Sequence, residues 1–265
     1  MKLGFIGAGN MARAIINGLL NAKFVDSHEI FIHSAHKASY EGYAEEKNLT
    51  ACADNKEVVQ NSDYVFLAIK PLVMKQVLVE IKNVVAEKKP VVISMVTGVS
   101  NEEILATLAD QSIQVVRIMP NVNVEIGAGM TALAPNKNVT PANQAAVTKM
   151  FDAIGETMKL PERDFSTFVA LAGSSPAFVY LFIDSLSRAG VKYGLTKAEA
   201  TKIAAQAVMG SAEKVLKSDK TPWELVDDVC SPGGTTVAGL LAMEGAGFMN
   251  SVIKGVDATV AKDKE

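Results

Sequence analysis

The sequence has few of the side chains that build disulfide frameworks and metal centres. Among its 265 residues there are two cysteines, three histidines and one tryptophan. The cysteines, Cys52 and Cys230, are too few and too far apart for a disulfide framework, and they fit a reducing compartment. We therefore expect a cytoplasmic protein, and we expect no bound metal.

An excess of positive charge is also absent. The chain has 26 lysine and arginine residues against 29 aspartate and glutamate residues, for a net charge of -3, and the basic residues form no stripe. Nucleic-acid-binding proteins concentrate basic residues on one surface, so we expect no nucleic acid partner.

An uninterrupted apolar run of membrane-spanning length is missing as well. The longest apolar stretch, residues 165–183, is broken by Gly173-Ser-Ser-Pro176 and closed by Asp184. A membrane helix needs about 20 continuous apolar residues, so this stretch predicts a buried helix, and we expect no membrane partner. The chain enters a strand pattern at Lys2–Ile6, so we expect no signal peptide.

Apolar residues make up 49% of the chain, enough for the cores of one large or two ordinary domains. Up to about residue 160, short β-branched runs alternate with helical patterns, which predicts a parallel sheet covered by helices on both faces. We expect a Rossmann-type, doubly wound α/β sheet from the first five strands, and the last strands are candidates for an antiparallel direction. The predicted strands are Lys2–Ile6, Glu29–His33, Tyr64–Ile69, Val91–Val96, Gln114–Met119, Met130–Ala134 and Thr157–Leu160, and the helices between them are Asn10–Asn21, Tyr40–Lys47, Val73–Val85, Asn101–Ala109 and Pro141–Ile154.

From Pro161 onward the strand signals stop and the sequence predicts helices only. We therefore expect a dinucleotide-binding domain over residues 1–160 and an all-helical domain over residues 161–265. The first helix, Asp164–Ala189, is apolar on nearly every face, more than a lone small bundle needs. Burial against a partner subunit and burial inside its own bundle both explain this composition. Further helices are predicted from Thr196 to about Lys217, from Thr221, over Thr235–Glu244 and over Phe248–Ala261.

Several helix starts carry local signatures. A serine or threonine followed three residues later by glutamate predicts a capping box, and a proline suits the first turn of a helix. The capping boxes are Ser100 with Glu103, Thr196 with Glu199, and Thr221 with Glu224, and Pro141 follows Thr140.

The glycine-rich turn after the first strand predicts a dinucleotide site. Gly7-x-Gly9-x-x-Ala12 follows a strand and opens a helix, which is the context that the fingerprint requires. Gly7 allows the tight turn, Gly9 lets the backbone approach a pyrophosphate, and Ala12 replaces the third glycine. The alternative is an ordinary glycine turn.

The turn after the second strand favours NADP(H). NAD-selective sites place a carboxylate here for the ribose hydroxyls, and this chain has none until Glu41. It offers instead the hydroxyl of Ser34, the imidazole of His36 and the ammonium of Lys37, which suit a 2′-phosphate. A solvated polar turn is the alternative, and His33 need only finish the strand.

Two later strand ends fall on the same edge of the sheet. Ala68-Ile-Lys-Pro71 places Lys70 as a charge near a cofactor, and Met95-Val-Thr-Gly98 follows the next strand. Asn55 begins a helix. Its side chain either caps that helix or contacts adenine. Taken alone, each of these segments is an ordinary turn or cap.

Near the end of the chain, Ser231-Pro-Gly-Gly-Thr-Thr236 lies between two helical patterns. Loop N–H groups at the positive end of a helix dipole bind an anion without an arginine. With the glycine loop at residue 7, this segment predicts one site for a dinucleotide and another for a small carboxylate.

The order of these motifs resembles that of the pyrroline-5-carboxylate reductases, over essentially the full length. The matching segments are Gly7–Ala12, Ala68–Pro71, Arg117–Asn121, Gly127–Ala132, Gly173–Phe178 and Asp228–Thr236. The stretch from Asp228 to Gly247 is the most specific. The resemblance implies a Rossmann domain followed by a helical domain that dimerises through its long helices, with dimers that often assemble into decamers.

The resemblance also implies roles for individual residues. Gly7, Ala8, Gly9, Asn10 and Met11 would hold the pyrophosphate, and Ser34, His36 and Lys37 would lie at the adenosine end. Asn55, Ala68, Lys70 and Pro71 would line the nucleotide site, and Met95 and Thr97 would approach the nicotinamide. Ser231, Gly234, Thr235 and Thr236 would receive the substrate carboxylate and ring nitrogen, while Glu162 matches a substrate position and Asp228 a cofactor position.

Two positions depart from the family pattern. Asn121-Val-Asn123 stands where the family usually has Asn-Thr-Pro, which affects the loop beside the nicotinamide. Ser175 stands where the family usually has glycine, which adds a hydroxymethyl group where backbones approach closely. Neither change removes a group that the chemistry needs.

The residue types fit an imine better than a carbonyl. A hydroxy-acid dehydrogenase needs a placed general acid or base, usually histidine or lysine, and residues 164–189 contain neither. A protonated cyclic imine accepts hydride without further acid, so positioning and electrostatics suffice. We expect Thr236 and Ser231 to be the catalytic residues, with the Thr236 hydroxyl bonded to the ring nitrogen.

We therefore expect NADPH-dependent reduction of 1-pyrroline-5-carboxylate to L-proline, with NADH as a weaker reductant. A 3-hydroxy-acid dehydrogenase is one rival, and it requires the catalytic lysine that the long helix lacks. A dinucleotide-sensing regulatory protein is another, and it predicts nucleotide binding without turnover.

Overall fold

An eight-stranded sheet forms the centre of the first part of the chain. In the computed structural model, which describes residues 1–263, the strand order is β3-β2-β1-β4-β5-β6-β7-β8. Strands β1 to β6 are parallel, β7 is antiparallel to β6, and β8 is parallel to β7. The strands are β1 Leu3–Ile6, β2 Ile30–His33, β3 Thr50–Ala51, β4 Tyr64–Leu67, β5 Val91–Ser94, β6 Val115–Met119, β7 Gly129–Pro135 and β8 Gly155–Lys159.

This topology confirms the predicted doubly wound sheet and the reversed direction of the last strands. All seven predicted strands are present, and β3 is the addition. With two residues, β3 is too short to give a periodic pattern.

Helices cover both faces of the sheet, because its strands are apolar on both sides. Phe5 and Phe66, neighbours in register on β1 and β4, stack at 4.3 Å between ring centroids on one face, while Ile6 and Val65 face the other. The helices of this part are α1 Asn10–Asn21, α2 Glu41–Lys47, α3 Asn55–Asn61, α4 Pro71–Lys88, α5 Asn101–Leu108 and α6 Pro141–Asp152.

The predicted helix starts are confirmed where the signal is local. Ser100 and Glu103 form a complete capping box on α5, and Thr140 caps α6 in front of Pro141. Helix α3 begins at Asn55 as predicted, but its cap is the side chain of Asp54, which accepts from the N–H of Glu57 at 2.8 Å. The alternative in which Asn55 caps this helix is therefore wrong, and the Asn55 side chain is available for other contacts.

The second part of the chain is helical throughout. Its helices are α7 Phe165–Phe168, α8 Ser175–Lys192, α9 Lys197–Lys217, α10 Pro222–Asp227, α11 Thr235–Gly245 and α12 Phe248–Asp263. The capping boxes of α9 and α10 are both complete, as predicted.

The predicted regular helix Asp164–Ala189 is interrupted. A π-helical turn over Val169–Gly173 separates α7 from α8. Pro176 has no N–H to donate to the carbonyl four residues earlier, which is that of Ala172. That carbonyl accepts instead from the side-chain amide of Asn121, at 3.0 Å.

By packing, the described chain divides into two compact units, Met1–Gly173 and Ser174–Lys262. Residues 161–173 belong to the first unit because Phe165 and Phe168 are buried in a cluster with Met119 and Ala132. The packing boundary therefore falls later than residue 160, where the strand signals stop.

Within the second unit, α8 and α9 pack closely through small residues. A Cβ placed on Gly190 would lie 2.8 Å from the Cβ of Ala200, and the Ser187 and Thr201 hydroxyls share a hydrogen bond of 2.8 Å. Aromatic contact between Phe182 and Phe248, at 5.8 Å, joins α8 to α12.

Large apolar side chains of the second unit face outward. On α8, Pro176 and Ser187 are the buried residues, whereas Tyr180 is 57% exposed and Leu181 is 68% exposed. The helical stretch 162–192 is long and apolar enough to span a membrane, and 22% of its most apolar window is buried within the described residues. The prediction of a buried helix is thus wrong for the single chain, because its own bundle leaves this surface uncovered.

Candidate active site

Four loops that carry predicted cofactor residues lie side by side at the carboxyl ends of parallel strands. They follow β2, β1, β4 and β5, which are consecutive neighbours in the sheet. In doubly wound sheets ligands bind at this edge, where the strand order reverses, and here that point lies between β1 and β4. The first unit therefore brings together all of the predicted cofactor residues except Asp228.

Gly7 makes the tightest of these loops possible. Its φ is +105°, its N–H donates to the carbonyl of His33 at 2.8 Å, and a Cβ there would overlap the carbonyl oxygen of Ala68. A left-handed φ and this close approach both require glycine. Gly7 thus holds the ends of β1, β2 and β4 together.

Gly9 leaves the start of α1 open. It is the N-cap residue, with no side-chain cap, and a Cβ on it would meet nothing within 4 Å. The first N–H groups of a helix have no partner inside it and attract anions. This cradle fits a pyrophosphate, with Ala8 buried beneath it, Asn10 exposed and Met11 packed against the core.

The loop after β2 carries the predicted 2′-phosphate ligands. Ser34 is half-buried, and His36 and Lys37 are exposed. Lys37 pairs with Glu41, one turn further along, at 3.7 Å with 81% of its side chain exposed. The first carboxylate after β2 is therefore turned toward a lysine one helical turn away.

A hydrogen-bonded chain of three side chains orients Asn55, which is buried. Its Nδ2 donates to Glu80 Oε2 at 3.0 Å, and its Oδ1 lies 2.8 Å from His33 Nδ1. Because an ionised carboxylate only accepts, the Asn55 oxygen must face His33, and His33 must donate from Nδ1. Glu80 thereby fixes both the Asn55 amide and the tautomer of His33.

The loops after β4 and β5 are built by backbone contacts. Ala68 donates to the carbonyl of Ile6 at 2.9 Å, Lys70 is the exposed N-cap of α4, and Pro71 occupies its first turn. Met95 is half-buried against the core, and Thr97 is exposed.

Arg13, on α1, belongs to none of the sequence motifs but contacts two of the cofactor loops. Its Nε donates to the carbonyl of Ala8 at 3.0 Å, and its Nη2 donates to the carbonyl of Ser39 at 2.6 Å. Main-chain carbonyls carry no sequence signature, so no residue pattern pointed to these two contacts.

Glu162 lies in a polar cluster of the first unit. Its Oε1 accepts from the N–H of Asn101, at the start of α5, at 3.0 Å and from Arg117 Nη1 at 3.3 Å. The guanidinium of Arg117 lies 4.7 Å from the ring centre of Phe165, and its buried Nε has no hydrogen-bond partner, like Oδ1 of Asn101, among the described residues. The N–H of Asn101 and the guanidinium of Arg117 together fix the position of the Glu162 carboxylate.

The predicted carboxylate loop lies in the second unit. Gly233 has φ +71°, Gly234 donates to the carbonyl of Ser231 at 2.9 Å, and Gly234 is the N-cap of α11 without a side-chain cap. Thr235 and Thr236 are the first residues of the helix, and both are exposed. Within residues 1–263 the Thr236 hydroxyl has no hydrogen-bond partner.

Asp228 precedes this loop, also in the second unit. Both of its carboxylate oxygens accept from Lys220 Nζ at 2.7 Å, and this hydrogen bond holds the pKa of Asp228 below its usual value. Asp228 is thus held next to the loop that begins at Ser231.

Both departures from the family pattern are accommodated. Asn121 caps a short 3₁₀ helix over Val122–Ile126, and its Oδ1 accepts from the N–H groups of Asn123 and Met130 at 3.2 and 3.3 Å. Ser175 is the first residue of α8 and is half-buried.

Comparison with known proteins gives consistent matches over the whole chain. Residues 162–265 match the family described as pyrroline-5-carboxylate reductase dimerisation, and residues 2–98 match the family described as NADP oxidoreductase, coenzyme F420-dependent. A pyrroline-5-carboxylate reductase of Escherichia coli is 36% identical over 264 residues, which is 100% of this chain and 97% of the relative.

Solved structures give the same result. The 1-pyrroline-5-carboxylate reductase of Streptococcus pyogenes is 39% identical with a TM-score of 0.88, covering 100% of this chain and 98% of the other. That of Plasmodium falciparum, solved with NADP bound, is 31% identical with a TM-score of 0.89, covering 100% and 97%.

Proposed function

This chain belongs to the pyrroline-5-carboxylate reductase family, and from that premise we propose how its residues carry out the family reaction. The enzyme reduces 1-pyrroline-5-carboxylate to L-proline, the last step of proline biosynthesis, and NADPH is its reductant.

One observation carries the assignment of the two ligand sites. Gly9 and Gly234 are both extended N-cap residues, with φ,ψ of -72°,177° and -78°,169°, and neither α1 nor α11 has a side-chain cap. Each helix therefore offers free N–H groups to an anion that approaches without a side chain in the way. The reaction requires two such anions, the pyrophosphate of the cofactor and the carboxylate of the substrate.

For the cofactor, the glycine loop Gly7–Met11 holds the pyrophosphate, and Ser34, His36 and Lys37 hold the adenosine end with its 2′-phosphate. Asn55, Ala68, Lys70 and Pro71 line the nucleotide site, while Met95 and Thr97 approach the nicotinamide. We assign Asp228 to the cofactor as well. NADH, which lacks the 2′-phosphate, is the weaker reductant.

For the substrate, Gly234 and Thr235 bind the carboxylate through main-chain N–H groups, and Ser231 and Thr236 contribute hydroxyls. The protonated ring nitrogen donates to the Thr236 oxygen and is held in one orientation. When bound, NADPH would supply hydride from nicotinamide C4 to the imine carbon of the ring, the carbon that is double-bonded to nitrogen. Because the iminium is already electrophilic, the protein needs no general acid, and positioning does the catalysis.

Glu162 completes the proposed substrate set. The helix start at Asn101 and the guanidinium of Arg117 hold its carboxylate in place. A fixed negative charge of this kind favours a protonated imine over a neutral one.

The chain carries a dimerisation domain, and its substrate is a small molecule. We propose residues 1–160 as the NADP-binding domain and residues 161–265 as the substrate-binding and dimerisation domain, with homodimers that assemble into decamers. The exposed apolar side chains of α8 support this assembly. We further propose a cytoplasmic enzyme without nucleic acid or membrane partners, in agreement with its net charge of -3.

The test is direct. Purified protein is mixed with 1-pyrroline-5-carboxylate and NADPH, and the loss of NADPH absorbance is followed together with the formation of proline. Equal loss of NADPH and gain of proline supports the proposal. Tight NADPH binding with no turnover would favour the dinucleotide-sensing rival instead.

A further inference from the structure

Arg13 connects the glycine loop after β1 to the loop after β2. Through Nε it bonds the carbonyl of Ala8, inside the glycine loop, and through Nη2 it bonds the carbonyl of Ser39, at the far end of the loop after β2. These loops are assigned to the pyrophosphate and to the 2′-phosphate, so a single guanidinium spans the adenosine half of the cofactor site.

The guanidinium is held in a fixed plane. It stacks over the ring of Tyr43, 4.7 Å from the centroid, and Tyr43 is buried. The Tyr43 hydroxyl donates to Asn17 at 2.8 Å, and Asn17 donates to Glu125 at 2.9 Å. Stacking on an aromatic face and a rigid fork of donors are properties of arginine that lysine does not share.

The contact at Ser39 controls the shape of the phosphate loop. The Ser39 hydroxyl donates to the carbonyl of His36 at 2.5 Å, and the N–H of Tyr40 donates to the carbonyl of Lys37 at 3.1 Å. The root of the loop is tied separately, by the bond from Gly7 to His33. Arg13 therefore sets the position of the outer half, where His36 and Lys37 lie.

Selectivity for a 2′-phosphate depends on that position. Lys37 is largely exposed and already paired with Glu41, so its charge is not fixed by burial. Its contribution depends on where the loop backbone places it relative to the glycine loop.

We propose that Arg13 is a positioning residue for the preference of the enzyme for NADPH over NADH. By holding Ser39 against Ala8, it sets the distance between the pyrophosphate loop and the 2′-phosphate loop. This inference rests on the proposed assignment of the two loops to the cofactor.

The test uses the full-length enzyme and two fragments of the cofactor. Binding of 2′,5′-ADP and of 5′-ADP is measured by calorimetry for the wild type and for Arg13→Lys, together with kcat/KM for NADPH and NADH. Arg13→Lys keeps the positive charge but loses the simultaneous hydrogen bonds to the carbonyls of Ala8 and Ser39. We expect the Kd of 2′,5′-ADP to rise about tenfold, the size of one lost charged hydrogen bond, with a much smaller change for 5′-ADP.

At saturating NADPH, kcat should stay within about twofold, because Arg13 is assigned to the adenosine half and not to the reacting atoms. Tyr43→Phe is the matched control: it removes the bond to Asn17 but keeps the ring under Arg13, and it should leave the ratio of the two Kd values unchanged. If Arg13→Lys does not fold, Tyr43→Leu, which removes the stacking surface and keeps Arg13, should lower the preference for 2′,5′-ADP in the same direction.

Equal weakening of both fragments, or no change in either, would overturn the positioning role. Turnover of 1-pyrroline-5-carboxylate by the wild type is measured beside these titrations. If the wild type turns over the substrate and the titrations give either of these results, the role of Arg13 alone is wrong. If the wild type shows no turnover, the proposed function itself is wrong.

Discussion

The side-chain amide of Asn121 donates to the carbonyl of Ala172 at 3.0 Å and takes the place of the N–H that Pro176 lacks. This contact ties the turn after β6 to the π-helical turn before α8. The same asparagine accepts from the N–H groups of Asn123 and Met130. One buried side chain thus completes the hydrogen bonding of three backbone segments.

We predict that Asn121→Asp destabilises the protein by about 1–3 kcal/mol, because aspartate keeps both acceptor bonds but leaves the Ala172 carbonyl without a donor. Urea unfolding, followed by a signal from the first unit, measures this change in the free energy of unfolding. In a Pro176→Ala background, residue 176 regains an N–H, so the same substitution should cost less. Equal costs in the two backgrounds would contradict the link between Asn121 and Pro176.

Gly9→Ala should weaken NADPH binding without destabilising the fold. A methyl group at Gly9 meets no protein atom within 4 Å, so the melting temperature should hold, but it occupies the space that a pyrophosphate needs. We expect a rise in Kd of about tenfold or more, measured by NADPH fluorescence. Gly42→Ala is the control, since Gly42 lies in α2 with equally open surroundings. It should keep NADPH affinity and add about 0.5–1 kcal/mol of stability.

Replacing Ser34 and Lys37 by alanine should raise the KM for NADPH far more than that for NADH, because both side chains are assigned to the 2′-phosphate. Steady-state kinetics with each cofactor measures the ratio. Glu41→Gln frees Lys37 from its ion pair and should leave NADPH affinity unchanged or improved. An equal rise in KM for both cofactors would contradict the assignment of this loop to the 2′-phosphate.

Thr236→Ala should lower kcat for imine reduction by about tenfold to a hundredfold, the usual size of a lost positioning hydrogen bond in a transition state. The hydroxyl is exposed, so the melting temperature and the Kd of NADPH should hold. Thr236→Ser keeps the oxygen and should recover most of the rate. Unchanged kinetics in the alanine variant would leave this hydroxyl without a role.

The capping box of α5 gives a pH-dependent prediction. Hydrogen bonds from the Ser100 backbone and hydroxyl lower the pKa of Glu103 below its usual 4.5. The stabilisation is therefore complete above pH 4.5, the pKa in the unfolded chain, and disappears as the pH falls through the lower folded value. Glu103→Gln should lose less stability than the wild type between pH 6 and pH 3, measured by urea unfolding at each pH. Parallel curves would contradict the assignment.

Local signals in the sequence were sufficient for much of the fold. Capping boxes at Ser100, Thr196 and Thr221 depend on residues three apart, so their sequence pattern contains the whole interaction. The predicted strands follow the same logic, because buried parallel strands are continuously apolar. Strand β3 escaped detection because two residues show no period.

Long-range contacts could not be predicted in this way. Arg13 bonds main-chain oxygens, and the bond from Asn121 to Ala172 spans 51 residues. Asn55 shows the same limit: the sequence indicated a helix start, while its bonds to His33 and Glu80 depend on the packing of α3 against β2 and α4. Sequence reasoning thus gave a set of candidate cofactor residues, but not the side chains that hold them in place.

The outward-facing apolar residues of α8, such as Tyr180 and Leu181, make the enzyme concentration an important variable in assays. Mass action links association to apparent stability, so heat resistance and specific activity should rise together with enzyme concentration. With association through this surface as proposed, assays at very high dilution should measure dissociated protomers, and a substitution on this surface should show its effect mainly there.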